Sequence, residues 1–164
     1  MWVIAVFGFK MAGKTRLASM IVSALRSMGY RVAAVKHVHH ADFTIEREGS
    51  DSWRLYQSGA DPVIVSSPRE TAVIHRSLSI RGIEDLKGLA GDVDFVVVEG
   101  FQSVMPQDSE GVVRIRVLSR EGEEAGPSDI PVSFASNPAA RYVLPDEFGE
   151  LLSEVLRAVR GGSR

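Results

Sequence analysis

The sequence predicts an α/β fold built on a mainly parallel sheet. Short apolar, β-branched runs alternate with segments whose apolar residues recur at helical spacing. The strand-like runs, above all Phe95-Val96-Val97-Val98, are continuously apolar rather than alternating, as strands buried on both faces are. The first such run also passes directly into a glycine-bounded turn, Gly8 to Thr15, that opens the first helical segment.

The elements follow in order. Val3–Phe7 reads as a buried strand. From Lys14 to Met28 the residues Leu17, Met20, Ile21, Ala24, Leu25 and Met28 form a helical stripe that Gly29 ends. Arg31–Val35 is a second strand. Ser50–Ser58 reads as a helix capped by Ser50 or Asp51 and stopped by Gly59. Pro62–Ser66 and Thr71–His75 flank a proline-containing turn and suggest a hairpin. Ile83–Leu89 is a short helix, and Phe95–Val98 is a central strand. Val112–Val117 and Val132–Ala135 complete the strands. A polar loop covers 119–129, and Asp146–Val159 is a last amphipathic helix.

At 164 residues this is expected to be one domain, 1–164, with room for a sizeable core. A net charge of -2 gives no basis for binding nucleic acid or anionic lipid. No apolar run reaches the length of a membrane span. The apolar start lacks the flanks of a signal peptide, so a cytoplasmic protein is expected. With no cysteine in the chain there are no disulfides, thiolate metal sites or thiol nucleophiles.

Gly8-Phe9-Lys10-Met11-Ala12-Gly13-Lys14-Thr15 matches G-x-x-x-x-G-K-[ST], the P-loop, in the strand–turn–helix context that the motif requires. Wrapping a phosphate chain in inward-pointing N–H groups needs turns that β-carbons obstruct, hence Gly8 and Gly13. Lys10, Met11 and Ala12 supply the rest of the loop. Lys14 would set a compact charge against the β- and γ-phosphates, and the Thr15 hydroxyl would complete the coordination of Mg²⁺. Arg16 follows directly and is one candidate for a charge-stabilising arginine. Together with the alternating elements, the motif points to a P-loop NTPase-like three-layer sandwich.

Two further stretches bear on chemistry. Asp94 opens and Glu99 closes the strand DFVVVE, about 16 Å apart by strand rise. Ligands of open parallel sheets lie at the carboxyl ends of strands. This favours Glu99 as the second metal ligand and a catalytic residue beside Lys14, with Gly100 allowing close backbone approach; Asp94 is either a ligand or a plain turn residue. Lys36-His37-Val38-His39-His40 holds three of the chain's four histidines after the second strand. They would either bind Zn²⁺ or Ni²⁺ or line the crevice and contact phosphate or substrate.

GFKMAGKT, VKHVHH, GSDSWRLYQSGAD (49–61) and DFVVVEGF (94–101), in this order and spacing, resemble the MobB proteins of molybdenum-cofactor biosynthesis. The resemblance runs from residue 1 to about 101, with a compatible C-terminal part. It implies a GTP- and Mg²⁺-binding P-loop protein of low intrinsic GTPase activity that partners the MobA-type enzyme attaching GMP to molybdopterin, and it implies a homodimer. It places Lys14 and Thr15 at the phosphates and metal, Glu99 at the metal or its water, and His37, His39 and His40 along the crevice. A nickel or zinc metallochaperone GTPase and a non-enzymatic adaptor are the alternatives. Three positions depart from related patterns. Ser50 stands where the family commonly has lysine. Lys10 is one residue off the second lysine of partition-type ATPases, where this chain has Phe9. Asn137 stands where an aspartate is common. An asparagine offers guanine one acceptor oxygen and an NH₂ where a carboxylate accepts two hydrogen bonds, so weaker discrimination between GTP and ATP is expected.

Overall fold

Three parallel strands of unbroken apolar sequence set the frame. In the computed structural model, which describes residues 1–40, 42–105, 107 and 109–161, the chain runs β1 (Trp2–Gly8), α1 (Lys14–Ser27), β2 (Val32–Lys36), α2 (Asp51–Gln57), β3 (Val63–Ser66), β4 (Thr71–Ile74), α3 (Ile83–Ala90), β5 (Phe95–Glu99), β6 (Val112–Val117), β7 (Asp129–Ser133), β8 (Tyr142–Val143) and α4 (Phe148–Gly161). One 3₁₀ turn covers Gln102–Val104. The chain divides into two compact units: Met1–His37 together with the chain from Arg81 on, and Val38–Ile80.

The first unit holds a six-stranded sheet in the order β2-β5-β1-β6-β7-β8, and every pairing in it is parallel. Residues 3–7 of β1 and Phe95–Val98 of β5 are buried on both faces. On one face Ile4, Val6 and Val97 join Leu17, Ile21 and Leu25 of α1 and Leu151, Val155 and Val159 of α4 in a single core. Each fully buried leucine or isoleucine there contributes roughly 1.5–3 kcal/mol. On the other face α3 packs against β5 with Leu86 buried. Helix, sheet and helix thus form the expected layers of a P-loop-type α/β sandwich.

The differences from the sequence reading lie in the C-terminal third. The strand expected at 132–135 begins earlier, at Asp129, and β8 is a two-residue strand with no readable pattern. Asp129, expected in the polar loop, is buried because it has partners. Its carboxylate accepts from Arg114 Nε at 2.7 Å, from Arg116 Nε at 3.4 Å and from the Gly126 N–H at 3.1 Å. Arg114 also donates to the Met105 carbonyl at 2.7 Å, and its guanidinium lies 4.5 Å from the Phe7 ring centroid. A buried pair of this kind replaces hydration with hydrogen bonds on both ions.

In the second unit β3 and β4 pair antiparallel, Val63 opposite Ile74 through Ser66 opposite Thr71, which is the hairpin the sequence suggested. The α2 helix is capped by Ser50, whose side chain accepts from the Trp53 N–H. At the base of the hairpin Asp61 accepts from the Arg76 N–H at 3.2 Å and the Ser77 hydroxyl at 2.7 Å.

Burial works against the charge of Asp129, but Arg114, the Gly126 N–H and Arg116 outweigh it and hold the carboxyl below its ordinary value. A depressed folded value means that the unfolded chain takes up the proton first. The stability is present above about pH 3.9, the ordinary aspartate value, and is lost as the pH falls through the folded value. Asp129→Asn is therefore expected to cost about 3–5 kcal/mol at neutral pH by stripping Arg114 of its carboxylate. The gap between mutant and wild type should narrow as the pH falls below about 3.9 and close only below the depressed folded value. Urea titrations of both proteins across pH check both statements.

Candidate functional site

The turn between β1 and α1 is shaped by its glycines. Gly8 has φ of 145° and Gly13 has φ of 97°. A β-carbon on Gly8 would lie 2.6 Å from the Val117 carbonyl oxygen of the neighbouring strand, and one on Gly13 would lie 2.6 Å from the Phe134 ring. Neither position has room for a side chain. Met11 also takes a positive φ, 65°, and its side chain is fully exposed, whereas Ala12 is buried beneath the loop.

Gly13 caps α1 with no side-chain hydrogen bond, and the first turn of that helix carries no acidic residue. Its free N–H groups and positive dipole end are therefore available to an anion. Lys14 folds back over the loop and donates to the Phe9 carbonyl at 2.6 Å. Burial lowers its pKa, opposed by the charge of Glu99 and assisted by that of Lys36.

Glu99 closes β5 level with Lys36 of β2 and Val6 of β1. Its Oε2 accepts from the Thr15 hydroxyl at 2.8 Å, and its Oε1 accepts from Lys36 Nζ at 2.9 Å. Lys36 Nζ also lies 3.3 Å from Thr15 Oγ1. A hydroxyl and a carboxylate held together around a cation form a donor set that suits a hard ion such as Mg²⁺. Lys10, Met11, Gly13, Lys14, Thr15, Arg16, Lys36 and Glu99 line one cleft of about 400 Å³.

The other expected site residues fall into groups. At Gly100, with φ of 90°, an added β-carbon would lie 3.0 Å from the His37 β-carbon, so the position has little room for a side chain. The His37 ring stacks on Phe101 at 4.1 Å between centroids. His37 ends the first unit, whereas His39 and His40, both exposed, belong to the second. Among the described residues no group of three or more His, Cys, Asp or Glu side chains is placed to hold a metal ion. Asp94 is a turn residue at the opposite end of β5, where it accepts from the Arg31 N–H at 2.7 Å. The Arg16 guanidinium lies over the Phe134 ring, 4.5 Å from its centroid. Asn137 uses its amide within the loops: Oδ1 accepts from the Ala139 N–H at 2.9 Å, and Nδ2 donates to the Arg120 carbonyl at 3.3 Å.

The sequence reading left Lys36 and Phe134 without a role. Lys36 carried no signal for this, because which strand lies beside the one ending in Glu99 is decided by strand order. Phe134 carried none, because its contact with Gly13 joins elements far apart in the chain.

Comparison with known proteins adds to this geometry. The family model described as "MobB: Molybdopterin guanine dinucleotide synthesis protein B" matches residues 3–126. The chain is similar to the molybdopterin-guanine dinucleotide biosynthesis adapter protein of Escherichia coli (strain K12), with 31% identity over 73% of this chain and 66% of that one. The Haemophilus influenzae adapter protein is 29% identical over 60% of this chain and 56% of its own. The chain thus spans just under two thirds of the first relative's length and little more than half of the second's. The fold is that of Bacillus subtilis MobB, with a TM-score of 0.70 at 20% identity over 96% of this chain and 98% of that one. The MobB homologue of Bacillus stearothermophilus follows at a TM-score of 0.62 and 20% identity, covering 98% and 99%.

The two loop glycines are expected to differ in tolerance. Gly8→Ala drives a methyl group into a backbone carbonyl that strand pairing holds still, so the loss should exceed the roughly 1–3 kcal/mol of backbone strain alone. In Gly13→Ala the Phe134 ring can swing aside and the strain remains, so the smaller loss is expected. Denaturant midpoints of the two variants give the order.

Proposed function

The chain belongs to the MobB family, and on that footing we propose that it is a nucleotide-binding adapter of molybdopterin-guanine dinucleotide biosynthesis. In this reading it binds GTP with Mg²⁺, hydrolyses it weakly, and assists the cytoplasmic guanylyltransferase that attaches GMP to molybdopterin. The name of the Escherichia coli and Haemophilus influenzae relatives supports the adapter role. The observation that carries the nucleotide reading is the meeting of Thr15 and Glu99, 2.8 Å apart, beside a loop closed by Gly8 and Gly13.

Each residue then has a task. The N–H groups at the start of α1 hold phosphate oxygens by the helix dipole and by orphaned donors. Lys14 leaves the Phe9 carbonyl for the β- and γ-phosphates, and its weakened hold on its proton reflects the same desolvation that strengthens a charge pair in the cleft. Thr15 and Glu99 would hold Mg²⁺, which would supply neutralisation of the phosphate charge. Hydrolysis is attack of water on the γ-phosphate, with orientation and charge neutralisation as the chain's contributions. In this reading the Arg16 guanidinium keeps its place over Phe134, at the cleft wall, and charge neutralisation falls to Lys14 and the metal. Weak turnover follows, and it suits a protein whose nucleotide state regulates docking. The same dependence on nucleotide state suits a homodimer.

The histidines divide in this reading. His37 lies directly beyond the strand end that carries Lys36 and supports the cleft wall through Phe101. His39 and His40 serve substrate or phosphate rather than a resident transition metal.

Lys14→Ala is expected to weaken triphosphate binding about ten- to a hundredfold, from hydrogen bonds to charged groups worth about 1.5–3 kcal/mol, while melting temperature stays nearly unchanged. Unchanged affinity would sink the P-loop assignment. Turnover measured with and without the guanylyltransferase separates a stimulated enzyme from a passive adapter. For base choice, Asn137→Asp restores a second acceptor but sets an oxygen against the Arg120 carbonyl that Asn137 now satisfies. If Asn137 reads the base, GTP-over-ATP preference should change by about tenfold in competition titrations; equal selectivity would assign base reading to another loop.

A further inference from the structure

Thr15 Oγ1 has one proton, and it goes to Glu99 Oε2 at 2.8 Å. Its lone-pair side faces Lys36 Nζ at 3.3 Å, and the same ammonium lies 2.9 Å from Glu99 Oε1. These are the two side chains assigned above to Mg²⁺. A magnesium ion would need the Thr15 lone pair at about 2.0–2.1 Å with near-octahedral surroundings. The Lys36 ammonium and the ion therefore compete for the same oxygens, and each repels the other.

The two partners of the ammonium are unequally held. The Glu99 side chain is 12% exposed, at the end of the most buried strand, whereas that of Lys36 is 57% exposed at the end of the edge strand β2. The carboxylate is fixed and the lysine is free to swing. Leaving a largely buried carboxylate uncompensated costs several kcal/mol by desolvation, so a cation is required beside Glu99 in every state of the site. Lys36 also forms part of the wall of the cleft that holds Lys14 and the α1 N-terminus. An ammonium expelled from the two oxygens stays within that cleft, where the anion would lie.

We propose that Lys36 is a built-in stand-in for the divalent cation and a reader of the terminal phosphate. It neutralises Glu99 and orders Thr15 until a cation arrives with its triphosphate. The cation then displaces it, and the ammonium moves onto the γ-phosphate. The exchange makes free cation a poor ligand and couples cation binding to the triphosphate rather than the diphosphate. The inference rests on the reading of Thr15 and Glu99 as cation ligands.

The test is a titration of the full chain with Mn²⁺ alone, followed by calorimetry and by the electron paramagnetic resonance of the free ion. Lys36→Met and Lys36→Gln are expected to bind Mn²⁺ roughly two- to fivefold more tightly than wild type, the scale of an exposed ion pair. Lys36→Arg, which keeps the charge, should stay near wild type. Adding Glu99→Gln to Lys36→Met should abolish the gain. With Mg²⁺ present, preference for GTP over GDP should fall about tenfold in Lys36→Met, the value of one charged phosphate contact. Equal Mn²⁺ affinity in wild type and both neutral variants overturns the proposal. So does an absence of Mn²⁺ binding by those variants, or a gain that survives Glu99→Gln. Two neutral variants guard against misfolding of either one. The Mn²⁺ titration contains no nucleotide, so its failure leaves triphosphate binding through Lys14 intact; loss of the P-loop reading would show in Lys14→Ala instead.

Discussion

The candidate site depends on a register. Val6, Glu99 and Lys36 stand side by side at the ends of β1, β5 and β2, because the three strands are parallel and paired in step from Trp2, Phe95 and Val32 onward. Side chains alternate faces along a strand, so a slip of one residue in β5 would turn Glu99 to the other face and part it from Thr15 and Lys36. Burial of Val96, Val97 and Val98 opposes any slip. The apolar core thus positions the charges.

Charge is sorted along and through the sheet. At the carboxyl ends lie Lys36 and the carboxylate of Glu99, with Lys14 of α1 in the same cleft. At the amino ends Arg31 is engaged by Asp92 and Asp94, which ties β2 to the start of β5 without touching the cleft. In the interior Asp129 binds both arginines of β6, and these arginines flank the Phe7 ring two residues before the loop begins to turn. The loop therefore rises from a strand gripped on one face by leucines and on the other by guanidinium groups. Such a base suits a turn that must hold two glycines in conformations closed to other residues.

Much of this was legible in the chain itself. Continuous apolar runs marked β1 and β5, the helical stripes marked α1 and α4, and Gly8, Gly13, Lys14 and Thr15 declared the loop, because each is a local requirement of backbone or periodicity. Glu99 was legible from its place at the end of the most apolar strand. Two things were not. Asp129 reads as a loop residue until Arg114, fifteen residues earlier, is seen to lie in the neighbouring strand. The histidines read as one cluster until the chain divides after His37.

By itself, then, the sequence determined the alternation of elements, the phosphate-type loop and the family, since these rest on patterns within a few residues or on their order along the chain. Tertiary structure alone decided that Lys36 and Thr15 share Glu99, that Phe134 closes over Gly13, and that the Arg16 guanidinium lies over Phe134 at the cleft wall. Each of these is a contact between residues at least 21 and up to 121 positions apart. Such contacts follow from strand order and register, which pairing across the sheet establishes and no local pattern encodes.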